Sequence, residues 1–185
     1  MNFRFRNLLQ AVADIVMDKP IQSLHKNLST HYVVECLDKF GNVKWVDEFD
    51  NTVVTEGLND SLDKHFKASG YTAAWYVGLT DGTPSFAAGD DLTTHAGWAE
   101  VTDYSEGSRQ TLTLGSVSGG SVDNSASKAS FSINGSATVG GAFICTAATG
   151  TSGILYGGAA FTGGDRSVAN GDTLNVTVTL TAATA

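Results

Sequence analysis

The chain has 185 residues, a formal net charge of −8 and 21 glycines, and only 16% of it is charged. That length fits one domain, or one domain with an arm, and such a domain buries enough surface to fold without a disulfide or a metal. The acidic balance argues against a phosphate-backbone partner, no apolar run reaches the ~20 residues of a membrane span, and Cys36 and Cys145 fit no metal or redox spacing. Both cysteines are therefore expected to be free and buried.

In chain order, Leu8, Val12, Ile15 and Val16 recur at helical spacing, and Pro20 closes the pattern. Residues 1–30 thus read as an N-terminal helical arm, whose stripe could serve as core or clasp a neighbour. Arg4 and Arg6 ahead of an apolar run faintly resemble a signal peptide. Asp14, Asp18 and Lys19 interrupt it without a small-residue cleavage site, so none is expected.

Residues 31–185 read as a β domain. His31 to Phe49 forms a hairpin turning at Asp38–Asn42, with Val43, Trp45 and Asp47 on one side of its second strand. Leu58, Leu62 and Phe66 then predict a short helix that lays an apolar stripe on a sheet, capped at Thr55 and stopped by Gly70. Ala73 to Thr80 is a strand with Trp75, Val77 and Leu79 on one face. A long loop follows from Ser85 to Trp98, and loops of that length are often functional. Val101–Tyr104, Gln110–Leu114 and Ser130–Ile133 are further strands. Leu174, Val176, Val178 and Leu180 alternate with Asn175, Thr177 and Thr179, the clearest period of two in the chain. About eight short strands cut by Gly, Asn and Asp clusters predict a mainly β, antiparallel sandwich or barrel with one short helix.

Chemistry is sparse. Asp90, Asp91 and His95 share the long loop, but they lack the oxygen ladder of a calcium site and the further His or Cys of a zinc site. They read as a solvated turn, and His65 as a packed or solvated helical histidine. No nucleophile elbow, zinc-protease or phosphate-loop motif occurs, so neither an enzyme nor a cofactor is expected. Trp75, Tyr76, Trp98, Tyr104 and Tyr156 could form a sugar-binding platform, although strand aromatics are more often core. Nine of the eleven Lys and Arg precede residue 110, and Asp123, Asp165 and Asp172 are the sole acids after it. A half so poor in charge is expected to rest against other chains, or else to be a Ser/Thr-coated monomeric sandwich.

Three stretches carry a resemblance. They are FGNVKWVDEFDNTVVTEGLNDSLDKHF, AAWYVGLTDGTPSFAAGDDL and SGILYGGAAFTGGDRSVANGDTLNVTVTL, which fall within residues 38–181. The chain resembles tailed-bacteriophage capsid decoration (cement) proteins and related head- or tail-fibre structural proteins. The resemblance implies a jelly-roll-like β-sandwich on the capsid surface of the virion. It implies a homo-oligomer, dimer or trimer, bound to the major capsid protein, with no nucleic acid or membrane partner. In that setting Leu8, Val12, Ile15 and Val16 would form a capsid or subunit interface. The alternative is a fibre or receptor/glycan-binding protein, with Phe86 and Trp98 as exposed loop contacts.

Overall fold

The computed structural model describes residues 28–67, 70 and 74–183. The stripe of Leu8, Val12, Ile15 and Val16 lies outside the described residues. The described part is mainly β and antiparallel, with one helix. Its strands are β1 (Leu28–Leu37), β2 (Val43–Asp50), β3 (Thr52–Val53), β4 (Tyr76–Thr80), β5 (Glu100–Val101), β6 (Gln110–Thr111) and β7 (Ser121–Asp123). They continue with β8 (Ala129–Ser132), β9 (Ala137–Val139), β10 (Gly141–Cys145), β11 (Leu155–Ala160), β12 (Arg166–Val168) and β13 (Thr173–Ala182), and helix α1 spans Thr55–Phe66. Strands outnumber the eight expected because several are two- or three-residue pairings that leave no periodicity to read.

One sheet runs β2-β1-β13-β7, and β8 also pairs β13; a second runs β3-β11-β10-β4-β5, with β6 also on β4; and β12 pairs β9 in a small two-stranded sheet. Strands β1 and β13 pair without a slip from Leu28↔Ala182 to Leu37↔Thr173. Alternation does the rest: Tyr32, Val34, Cys36, Leu174, Val176 and Val178 all point inward. They meet Val77 and Leu79 of β4 and Ala142 and Ile144 of β10 in one shared core. The expected final strand and both buried free cysteines are found as read.

The hairpin β1–β2 forms, but its register shifts between Cys36 and Leu37. That irregularity turns Val43 outward, whereas Trp45, Asp47 and Phe49 keep the inner side. Asp47 is buried there and holds the loop after β11. Its carboxylate accepts the Thr162 N–H at 2.8 Å, the Gly163 N–H at 2.9 Å and an Arg166 N–H at 3.1 Å.

The helix forms where the sequence places it, yet its apolar stripe does not meet the sheet. Leu62 and Phe66 are 55% and 75% exposed. Gly57 faces β11 instead, because an added Cβ there would lie 2.5 Å from the Tyr156 carbonyl oxygen. The close approach of helix backbone to strand backbone selected the face, overriding the amphipathic pattern. The N-cap is Val54, without a side-chain cap, and the helix ends at Phe66 ahead of Gly70.

The second sheet is covered on both sides. Gly78 of β4 lies under the Phe143 ring, and Gly158 of β11 under Phe86. Phe143, Trp98, Leu92, Val54, Cys145 and Leu155 make a second core on its outer face. A β-carbon at Gly78 would overlap the fully buried Phe143 ring. Gly78→Ala should therefore lower stability by ~1–3 kcal/mol in urea unfolding, the range for overpacking a filled core. Gly89→Ala, with open space around it, should be within about 0.5 kcal/mol of the parent. Equal effects at the two sites would refute the ring-seat account.

Candidate interaction surface

The loop from Ser85 to Trp98 is a lid on the second sheet rather than an exposed contact. Trp98 is 8% exposed and Phe86 half-buried, which corrects the expectation that both are free for a ligand. The Trp98 ring stacks on His95 at 3.7 Å and on Phe86 at 5.1 Å, and it tilts against Phe143 at 4.7 Å. Apolar area drove the loop inward, an outcome available to any loop with two aromatics and a leucine.

Its carboxylates are already engaged. Asp90 accepts the Ala87 N–H at 3.0 Å, and Asp91 accepts those of Thr93 and Thr94 at 2.7 and 2.6 Å. These are the turn-forming bonds expected of Asp in a loop. Among the described residues no group of three or more His, Cys, Asp or Glu is placed to hold a metal ion. No described helix is long and apolar enough to cross a membrane.

One buried charged group escaped the sequence reading. Arg109 is 5% exposed and forms a two-point pair with Glu100 at 2.7 and 2.8 Å. It also donates to the Ala147 carbonyl at 2.8 Å and lies over the Phe143 ring at 5.2 Å. This is the pairing that a buried guanidinium requires, and it ties β5 to the loop after β10. Nothing in the spacing of Glu100 and Arg109 distinguished them from surface residues. Cys145 lies beside Arg109, with Sγ 3.5 Å from the guanidinium, but burial outweighs that charge and pushes its thiol up. A thiol so held is protonated and inert at neutral pH.

The proposed aromatic platform is not assembled. Trp98 lies on the outer face of the second sheet, and Tyr104 packs edge-on against Phe131 in the shared core. Trp75 and Tyr156 do meet, edge to face at 5.6 Å, and they line an apolar opening. A groove of about 330 Å³ enters between the two sheets there. Leu28 and Leu180 line it from the first sheet, Trp75, Ile144 and Tyr156 from the second, and Val117 from the loop before β7. Burial pushes the Tyr156 hydroxyl up, so that wall is uncharged. Periodicity marked several of these residues as apolar, but their convergence from distant segments leaves no local pattern.

A second apolar surface sits on the hairpin. Phe40, Val43 and Val46 are 77%, 57% and 46% exposed, and β2 is the outer strand of its sheet. Beside them, Lys44 pairs with the buried Asp172. No family model matches the chain, and no curated protein matches it.

The buried thiols give a pH signature. Burial is the main cause that pushes Cys36 from its ordinary value near 9 up to about 11. In the fold it stays protonated over a range where the unfolded chain ionises, so the stabilisation is complete below pH 9 and is lost as pH rises toward 11. Stability should be level from neutral pH to about 9, then fall. Tyr104, pushed up to about 12 by burial, adds its own loss above pH 10. In urea titrations Cys36→Ala should reduce the slope between pH 9 and 10, and an unchanged slope would rule the thiol out.

Proposed function

We propose that the chain is a non-enzymatic virion structural protein, a capsid decoration protein that binds the outside of the shell as a homo-oligomer and stabilises it. The observation that carries the reading is the β1–β2 hairpin. Its turn and second strand belong to the first stretch of the phage resemblance, and they expose Phe40 in the turn and Val43 and Val46 on the outer strand β2. An apolar strip on an unpaired edge is a natural surface for a second protein. The pairing of β1 with β13, first described strand with last, supports a jelly-roll-like sandwich. The polar groups of the molecule support a scaffold as well, because the carboxylates of Asp47, Asp90 and Asp91 are engaged with backbone N–H groups. The fibre reading loses its main support with the burial of Trp98.

The test is light scattering on the purified chain together with add-back to undecorated shells of the cognate phage. A dimer or trimer should bind shells to saturation and raise their melting temperature. Phe40→Asp/Val43→Asp should weaken shell binding at least tenfold while the protein's own unfolding midpoint stays close to the parent's, since both side chains are exposed. An oligomer that ignores shells but binds cells or glycans would replace this reading with the fibre. A monomer that binds neither would overturn both.

A further inference from the structure

The groove between the sheets is apolar and open, and Val117 on its rim is 75% exposed. Its exposed lining is mostly apolar, so a segment that covered it would remove apolar surface from water. Leu28 is both a wall of the groove and the point at which the described chain begins. The residues that precede it in sequence therefore start at the groove's own rim. Among them, Leu8, Val12, Ile15 and Val16 make the one apolar stripe at helical spacing, and that spacing sets Gln10 and Asp14 on the opposite side.

We propose that this groove is the docking site for residues 8–16 of the same chain, with the apolar stripe covering Trp75, Leu114, Val117 and Tyr156. Reach is sufficient. Residues 17–27 can span roughly 35 Å when extended, and a helix over residues 8–16 is only about 14 Å long. The same tether favours a chain's own segment over another copy's, because a short linker holds it at an effective concentration of about millimolar. The chemistry also fits: the lining is apolar, and Tyr156 and Ser61 add polar edges without a charge. The proposal stands apart from the shell-binding reading and survives or fails without it.

The experiment compares the full chain with its Val12→Asp/Ile15→Asp variant by methyl and indole NMR. Leu112, Leu114 and Val117 methyl signals and the Trp75 indole signal should shift, whereas those of Leu92 and Trp98, on the outer face of the second sheet, should not. Fluorescence of an added apolar dye should rise several-fold in the variant, and Gln10→Asp should change neither reading. As an independent check that leaves the fold untouched, a photoreactive side chain at position 12 should cross-link within its own chain to residues 112–122. Unchanged groove signals, or a cross-link elsewhere, would overturn the proposal. So would cross-links between chains, or shifts that disappear on dilution to the monomer, since a second copy's segment would then be the occupant.

Discussion

The structure depends on the unbroken ladder between β1 and β13. Ten residue pairs, from Leu28↔Ala182 to Leu37↔Thr173, tie the first described strand to the last. Everything between them is thereby closed into one long excursion, and the inward-facing half of both strands supplies one wall of the core. The far edge of β13 is shared in tandem by β8, opposite Thr173–Val176, and β7, opposite Thr179–Thr181. At the gap, the buried Asn124 side chain takes the place of a strand. Its Oδ1 accepts the Val178 N–H at 2.7 Å, and its Nδ2 donates to the Val176 carbonyl at 3.2 Å. A central strand cannot leave such groups unpaired at tolerable cost, so one amide side chain bridges two short strands.

The second sheet answers a different constraint. Its strands are short and rich in small residues, and both of its faces carry buried apolar side chains. Burial on two sides removes the alternation that marks a half-exposed strand, which is why all five residues of β10 are buried. Aromatic rings can lie flat on such a sheet where a glycine leaves room, as Phe143 does over Gly78 and Phe86 over Gly158. Part of the glycine content is thus ring seating rather than turn chemistry. The long loop after β4 supplies Phe86, Leu92 and Trp98 to the layer above, and its length is the path across that face.

This division explains how far the sequence could be read. Strands exposed on one side declared themselves: β13 through Leu174, Val176 and Val178, β1 through Tyr32, Val34 and Cys36, and the hairpin turn through Asp38 and Asn42. Among the two-sided strands β4 was still legible through Trp75, Val77 and Leu79, whereas β10 is buried at every position and the two-residue pairing β3 carries no period. The helix was legible in position but not in orientation, because the contact at Gly57 concerns backbone shape and is invisible to a hydropathy pattern. Trp98 was legible as an aromatic in a loop, which is equally the signature of a binding residue and of a lid. The groove and the Glu100–Arg109 pair were not legible, since each joins residues whose proximity exists only after the sheets have formed.

The excess of acids has its own explanation in this architecture. A fold of short strands joined by long loops leaves many backbone N–H groups outside any ladder, and each needs an acceptor. Carboxylates meet that need repeatedly. Asp38 accepts from Phe40 and Asn42 in the hairpin turn, Glu56 reaches from the helix to the Leu155 N–H, and Asp81 takes that of Ala99. Glu106 binds the Ser132 N–H, Asp165 that of Thr83 and Asp172 that of Ala169. Their Asn42 and Ser125 partners hold Asp38 and Asp123 below the usual carboxylate range, as expected when hydrogen bonds favour the charged form. Lysine and arginine cannot substitute in this role, because neither offers an acceptor. A net charge of −8 can therefore arise from loop closure alone, with no basic partner required to account for it. If the molecule does sit on a shell, its apolar hairpin edge is the better guide to how it is held than the sign of its charge.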